Sequence, residues 1–291
     1  MNKKLLSVLL FIAFAIICAV SVHSYTHPAT NTMLVFPKGS TYEKQWAKVD
    51  SLINKGLTKS ALDVVNSIYT KAKDENNAAQ FIKAVLNRMK LEANVEENTY
   101  ERSIYKLNDE IKNSHFPVQP VLHSILAETY WRYYQNYRWR YYNRTQTVSF
   151  KNDDISTWDA KTIVDQIIKH YQLSLQNSDS LKKTPLNIYD DILTQRSDTR
   201  KFRLTLYDFL THRAVDFYMN SETDVTAPIY KFELSGEDYF KSYTDFTNVT
   251  ITCKDSLSLK YYAIKTLQDL IAFHAKDNSP EFSLDSFNKI Q

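Results

Sequence analysis

The chain has 291 residues, with 36 basic and 33 acidic side chains and a formal net charge of +3. This near balance argues against nucleic acid as a partner. The only glycines, Gly39, Gly56 and Gly236, are isolated, which excludes a phosphate-binding glycine loop, a dinucleotide fingerprint and a Gly-x-Ser-x-Gly nucleophile turn. Because tight β-hairpins also need glycine, the composition favours an all-α fold.

The first 24 residues have the order of a secretory signal. Two lysines precede an apolar run over residues 5–22, and small residues follow it. Residues 1–24 are therefore predicted to be a signal peptide, cleaved after Ser21 or Ser24, that directs the chain to the periplasm or cell envelope. A retained anchor is the alternative, since the run is at the lower end of the length that spans a bilayer. Either way, contact with a membrane is expected only through this segment.

Signal cleavage would leave one cysteine in the chain. Cys253 is therefore predicted to be a thiol outside any intrachain disulfide, and stability has to come from the core. Residues 25–41 are predicted to form an extended linker.

Residues 42–116 are predicted to form helical hairpin repeats. Gly56 is expected to end the first helix, Thr58 to cap the second, and Asn76-Asn77 to separate the second from the third. Each hairpin occupies about 35 residues, close to the tetratricopeptide period. The pattern predicts tetratricopeptide-like antiparallel hairpins in an array. The apolar stripes are Trp46, Val49 and Ile53; Ala61, Val64, Ile68 and Ala72; Ile82, Val85 and Met89; and Tyr100, Ile104, Leu107 and Ile111.

Residues 117–291 are predicted to continue this helical array. Pro117 and Pro120 precede a long helix, Ser156 and Asp159 are spaced as a capping box, and residues 177–184 read as a polar linker. An irregular crossing segment is predicted over residues 220–250, with short strands at 229–234 and 249–253. The last helix starts near residue 280 and has about ten residues left, so the array is expected to be incomplete at its C-terminus.

Residues 130–144 hold eight aromatic rings and four arginines. Tyrosines at helical spacing indicate core packing. The alternative is an exposed platform that binds a glycan or peptide through Trp131, Arg138, Trp139 and Tyr142. This second interpretation requires that Trp131, Trp139 and Tyr142 be exposed together on one surface.

The sequence contains no recognisable catalytic or metal-binding motif. None of its seven histidines lies in a His-Glu-x-x-His arrangement, and no serine, histidine and acid are marked as a unit. No catalytic residue, metal site or cofactor is predicted, and the chain is not expected to be an enzyme.

Five stretches carry a resemblance that spans nearly all of the mature chain. They are residues 42–77, 120–134, 141–145, 154–159 and 206–210. Together they resemble the N-terminal helical region of large bacterial alpha-2-macroglobulin-like proteins, in which β-sandwich domains, a bait segment and often a Cys-x-Glu-Gln thioester trap a protease. Cys253 is followed by Lys-Asp-Ser, which departs from the thioester motif, so no inhibitory residue is carried over.

The resemblance implies a non-catalytic scaffold or docking module, the N-terminal part of an exported protease-inhibitor protein. Its expected partners are the remainder of a larger alpha-2-macroglobulin-like chain or an envelope protein, with proteases reached only through that assembly. Two other functions stay open. One is a helical-repeat binding protein for glycan or peptide uptake at the cell envelope, and the other is a glycan-active helical enzyme.

Overall fold

The structure is a computed structural model that describes residues 40–93, 99–141, 154–193, 201–220, 232, 242–254, 258–277 and 281–287. These residues form eleven α-helices and three short 3-10 helices, with one isolated β-bridge and no strand among them, so the predicted all-α fold is confirmed. The α-helices are α1 Ser40–Asn54, α2 Thr58–Asp74, α3 Ala78–Ala93, α4 Thr99–Lys112, α5 Val118–Tyr137, α6 Ala160–Leu175, α7 Ser178–Lys183, α8 Leu206–Tyr218, α9 Tyr243–Phe246, α10 Leu259–His274 and α11 Glu281–Phe287.

Two tight turns join the first three helices. Gly56 (φ 72°) and Asn76 (φ 52°) have left-handed backbone conformations just after α1 and α2. In the first turn, the N–H of Leu57 donates to the carbonyl of Leu52 at 2.9 Å. In the second turn, the N–H of Asn77 donates to the carbonyl of Ala72 at 2.8 Å. Both turns have the hydrogen bonding of a Schellman motif, in which glycine or asparagine takes the left-handed position. The predicted ends of the first two helices are thus confirmed.

Two predicted caps are wrong in detail. Thr58 is the first residue of α2, and the cap position before it makes no side-chain hydrogen bond. Asp159 caps α6 by itself, since its carboxylate accepts the N–H of Thr162 at 2.7 Å. The predicted partner Ser156 instead donates its N–H to Asp154, the cap of a preceding 3-10 turn.

Long-range hydrogen bonds join helices that are not consecutive. The indole Nε1 of Trp46 donates to Oε1 of Gln80 at 2.7 Å, which links α1 to α3 across 34 residues. The hydroxyl of Tyr69 donates to the carboxylate of Glu110 at 2.8 Å and links α2 to α4. Nε2 of Gln80 also donates to Asp191 at 3.2 Å, so the first helices are tied to the middle of the chain.

The long helix α5 lies in the centre of the core. It packs mainly against α6 and α4 and also contacts α8. The tyrosines of α5, whose helical spacing indicated core packing, are buried except for Tyr137, which is half-buried. The buried aromatic and leucine side chains from this stretch are Leu122, Leu126, Tyr130, Trp131, Tyr133, Tyr134 and Tyr141.

The remaining helices form a second set of contacts around α8, which packs against α6, α7 and α10, while α11 packs on α10. The predicted polar linker 177–184 is wrong, because most of it is α7. A short antiparallel bridge between Pro185 and Thr205 orients the start of α8.

Several predictions concern residues outside the described part of the chain. These residues include the signal peptide 1–24, positions 25–39 of the linker, and most of the crossing segment 220–250. Of that segment, residues 242–250 contain the short helix α9. Residues 249–253 are described without a strand, so the strand predicted there is wrong. Among the described helices, none combines the length and the apolar content needed to cross a membrane.

Candidate binding cleft

The predicted aromatic platform is not present as a unit. Trp131 is only 9% exposed, and its ring stacks on Tyr134 at 5.5 Å and meets the edge of Phe217 at 5.3 Å. Trp131 is therefore a core residue that joins α5 to α8. The interpretation that required its exposure beside Trp139 and Tyr142 is wrong for Trp131.

The 3-10 helix Arg138–Arg140, which follows α5, nevertheless displays one large exposed ring. Trp139 is 66% exposed, and Arg138 beside it is also exposed. The guanidinium of Arg140 lies 5.2 Å from the centre of the Trp139 ring and 4.3 Å from that of Tyr137. Tyr142 lies outside the described residues, so its contribution stays a prediction.

A buried acid–histidine network fixes α8 against α10. Asp208 is 1% exposed, and its Oδ2 accepts hydrogen bonds from the N–H and hydroxyl of Thr205, which completes a capping box at the start of α8. Its other oxygen lies 2.8 Å from Nε2 of His274, and Nδ1 of the same ring lies 2.6 Å from Asp277. Burial disfavours the charged ring, but the hydrogen bonds to both aspartates outweigh it and raise the pKa of His274 above 6.5.

The same region holds the last described helix. The ring of Phe282 in α11 stacks on His274 with centroids 5.4 Å apart. Asp285, one turn later, accepts hydrogen bonds from Arg203 at 3.4 Å and lies 3.5 Å from Nε2 of His212. Three side chains thus contact α11: His274 of α10 by ring stacking, and His212 of α8 and Arg203 before α8 through the Asp285 carboxylate.

An ion-pair cluster fixes α8 against α5. Arg213 donates to Oε2 of Glu128 at 2.5 Å and to the hydroxyl of Ser124 at 2.8 Å, while Arg132 donates to the other oxygen of Glu128 at 2.6 Å. Burial alone would raise the pKa of Glu128, but the two guanidinium groups lower it below its usual value. Glu128 is therefore charged, and its ion pair with Arg213, 85 residues away in sequence, links α5 to α8.

A pair of histidines joins α5 to α6. Nδ1 of His123 lies 2.9 Å from Nδ1 of His170, and the His170 ring stacks on Tyr130 at 5.8 Å. Burial lowers the pKa of both rings, with repulsion from Lys169 added. One ring donates and the other accepts, so this pair is a hydrogen bond between neutral side chains.

An open cleft of about 750 Å³ lies where α7 and α10 flank α8. The ring of Tyr207 from α8 forms its base, and α10 contributes Phe273, whose ring meets Tyr207 edge-on at 5.7 Å. The polar lining consists of Ser178, Asp179, Lys182, Lys183, Thr266, Asp269, Lys276 and Asp277.

Fixed contacts hold the cleft walls in place. The ammonium of Lys182 lies 4.8 Å from the centre of the Tyr207 ring and 5.3 Å from that of Phe273. Asp277 is the exposed end of the network that begins at buried Asp208 and passes through His274. The volume is in the range of preformed ligand sites, and the lining mixes aromatic and charged groups as such sites do.

Sequence reasoning did not identify this cleft. Its two walls are separated by more than 80 residues in sequence. The stretch that forms α7 was predicted to be a linker, because its six residues are too few to show helical periodicity.

The described residues contain no group of three or more histidine, cysteine, aspartate or glutamate side chains placed to hold a metal. Cys253 is half-buried as a thiol. Comparisons of the chain with protein-family models, curated proteins and solved structures found no match.

Proposed function

We propose that this chain is a non-catalytic docking module that binds a partner polypeptide in the cleft between α7 and α10. The observation that carries the proposal is the cleft itself, about 750 Å³ in volume, with an aromatic base and polar walls. The proposal includes a tetratricopeptide-like array of helical hairpins as the scaffold. Such arrays use grooves formed by several helices as extended binding surfaces.

The walls of the cleft are anchored by contacts within the core, so the cleft does not have to form when a partner binds. Thr205, Asp208 and His274 fix α8 to α10, and the Tyr207 ring at the cleft base is 4% exposed. A site whose walls are already ordered loses little conformational entropy when a ligand binds, which favours affinity.

The proposed setting follows the resemblance to the N-terminal helical region of alpha-2-macroglobulin-like proteins. In that setting the chain is exported to the periplasm or envelope, and the partner is the remainder of a larger chain or an envelope protein. Proteases would be reached only through that assembly.

Site-specific photocrosslinking in the native host tests the docking function. A photoreactive amino acid replaces Lys182 in the cleft, and in a matched strain it replaces Lys48, which is exposed on α1. We expect irradiation to attach one discrete polypeptide at position 182 and not at position 48. Mass spectrometry of the adduct identifies the attached segment. No adduct at position 182, or the same adducts at both positions, would overturn the proposal.

A second experiment tests the non-catalytic, non-inhibitory part of the proposal. The purified chain is mixed with a panel of endopeptidases, and their activity is followed with large and small substrates. We expect no change with either. Stoichiometric loss of activity against large substrates alone would show that the chain traps proteases by itself.

A further inference from the structure

Three lysine side chains line the cleft. Lys182 and Lys183 belong to α7, and Lys276 lies just beyond the end of α10. In the part of the chain that the structure describes, none of the three ammonium groups forms an ion pair within 4.0 Å of a carboxylate. The charges of these lysines are therefore not neutralised by an intramolecular partner in that part.

The aspartates of the same cleft are mostly paired already. Asp269 lies 3.5 Å from the ammonium of Lys265, and Asp277 lies 2.6 Å from His274. Asp179 is in the first turn of α7, where a carboxylate complements the unsatisfied N–H groups of the helix. One His274 ring is shared between Asp277 and buried Asp208, so it balances at most one of these two carboxylates. The three lysines still outnumber the negative charges left without a partner among the described residues of the cleft, which are Asp179 and one carboxylate of that pair.

Lys182 is the best-placed of the three lysines. Lys182 is half-buried, and its ammonium lies over the rings of Tyr207 and Phe273, which position the charge at the cleft base. A ring face attracts a cation but carries no net charge, so the ammonium still attracts an anion. The half-buried ring of Phe273 also offers apolar surface next to this charge, whereas Tyr207 is buried beneath it.

We infer that the cleft binds an acidic, extended segment of the partner polypeptide, an inference that rests on the docking function proposed above. Lysines from two helices suit carboxylates spaced along a chain, whereas a single phosphate group is typically bound by groups that converge on one point. The part-exposed Phe273 ring offers a contact for one apolar side chain between the acidic ones. Complementary charge would also speed association and select against basic partners.

Fluorescence anisotropy with three labelled peptides of equal length tests the inference on the full mature chain. One peptide is rich in glutamate, one replaces glutamate with glutamine, and one replaces it with lysine. We expect binding of the glutamate peptide alone. Raising the salt from about 0.05 M to about 0.3 M should weaken this binding, because the Debye length shortens and the lysines are solvent-accessible.

A charge-matched pair of double variants locates the binding. K182Q/K276Q removes two charges from the cleft, and K44Q/K48Q removes two exposed charges from α1. The cleft variant should raise the dissociation constant of the glutamate peptide about 3- to 10-fold, the range expected for two partly exposed ion pairs. The α1 variant should leave it unchanged. Thermal melts of both variants that match the parent would show that folding is not the cause.

Three results would overturn the inference. They are equal weakening by both double variants, tighter binding of the lysine peptide, and binding of anionic phospholipid vesicles through Lys182 and Lys276 without binding of the glutamate peptide. The photocrosslinking experiment separates the two proposals. If the segment attached at position 182 lacks acidic residues, this inference fails while the docking function stands. If no segment attaches there, the docking function itself fails.

Discussion

Acidification should destabilise the protein through the histidine pair between α5 and α6. The Nδ1 atoms of His123 and His170 are 2.9 Å apart, and burial lowers the pKa of these rings to about 4 and about 3, respectively. The hydrogen bond between the rings would survive the first added proton, so it is burial that disfavours this proton. A second proton would place two N–H donors against each other, so the folded state excludes it.

The sign and size of the effect follow from proton linkage. An unfolded histidine has a pKa near 6.5, so below that pH the unfolded chain binds more protons than the folded chain, and stability falls as the pH falls. Between pH 7.5 and pH 5, each excluded proton lowers the free energy of unfolding by about 2 kcal/mol. Two excluded protons would give about 4 kcal/mol. Because the His123 ring is part-exposed and solvent screens its share, we expect about 2 to 3 kcal/mol in total.

Urea denaturation followed by tryptophan fluorescence at several pH values measures this loss. The double variant His123→Asn/His170→Asn keeps short polar groups at both positions but removes both titrating rings. It should be less stable at pH 7.5 and lose about 2 to 3 kcal/mol less than the parent between pH 7.5 and pH 5. The control His115→Asn replaces an exposed ring after α4 and should follow the parent. A double variant with the same pH dependence as the parent would refute the reasoning.

Three further predictions concern single residues. Gly56→Ala should lower the free energy of unfolding by about 1 kcal/mol in urea denaturation. An added Cβ would meet no atom within 4 Å, but the φ of 72° is a backbone conformation that alanine adopts only with strain. A variant as stable as the parent would contradict this prediction. Asp208→Ala should cost about 3 kcal/mol in thermal denaturation, since it removes half of the capping box of α8 and a partner of His274. The control Asp245→Ala removes an exposed carboxylate that pairs with the α9 cap Ser242, and it should cost about 1 kcal/mol or less. His274→Gln should flatten the stability profile above pH 6.5. Hydrogen bonds from Asp208 and Asp277 raise the pKa of this ring, so its contribution is present below pH 6.5 and is lost as the pH rises through the raised pKa. An unchanged profile in urea denaturation would argue against that role.

The amino-acid sequence alone determined the fold class and the two turns that join the first three helices. Scarce glycine and apolar residues at helical spacing are local properties, and they predicted α1 to α4 and the core packing of the α5 tyrosines. Gly56 and Asn76 marked the ends of α1 and α2 because a left-handed backbone position selects these residue types within one turn. These features depend on residues that are close in sequence, so they do not depend on which helices pack against each other.

Only the tertiary structure decided which side chains are available to a partner. Trp131 and Trp139 lie in the same aromatic stretch, but α8 covers Trp131 through Phe217 while Trp139 remains 66% exposed. Asp208 and His274 meet across 66 residues, and their contact fixes α8 to α10 beside the cleft. Helical periodicity shows which residues share a face, but it does not show which other helix covers that face. The cleft depends on how α7, α8 and α10 pack together, so its binding groups became visible only in three dimensions.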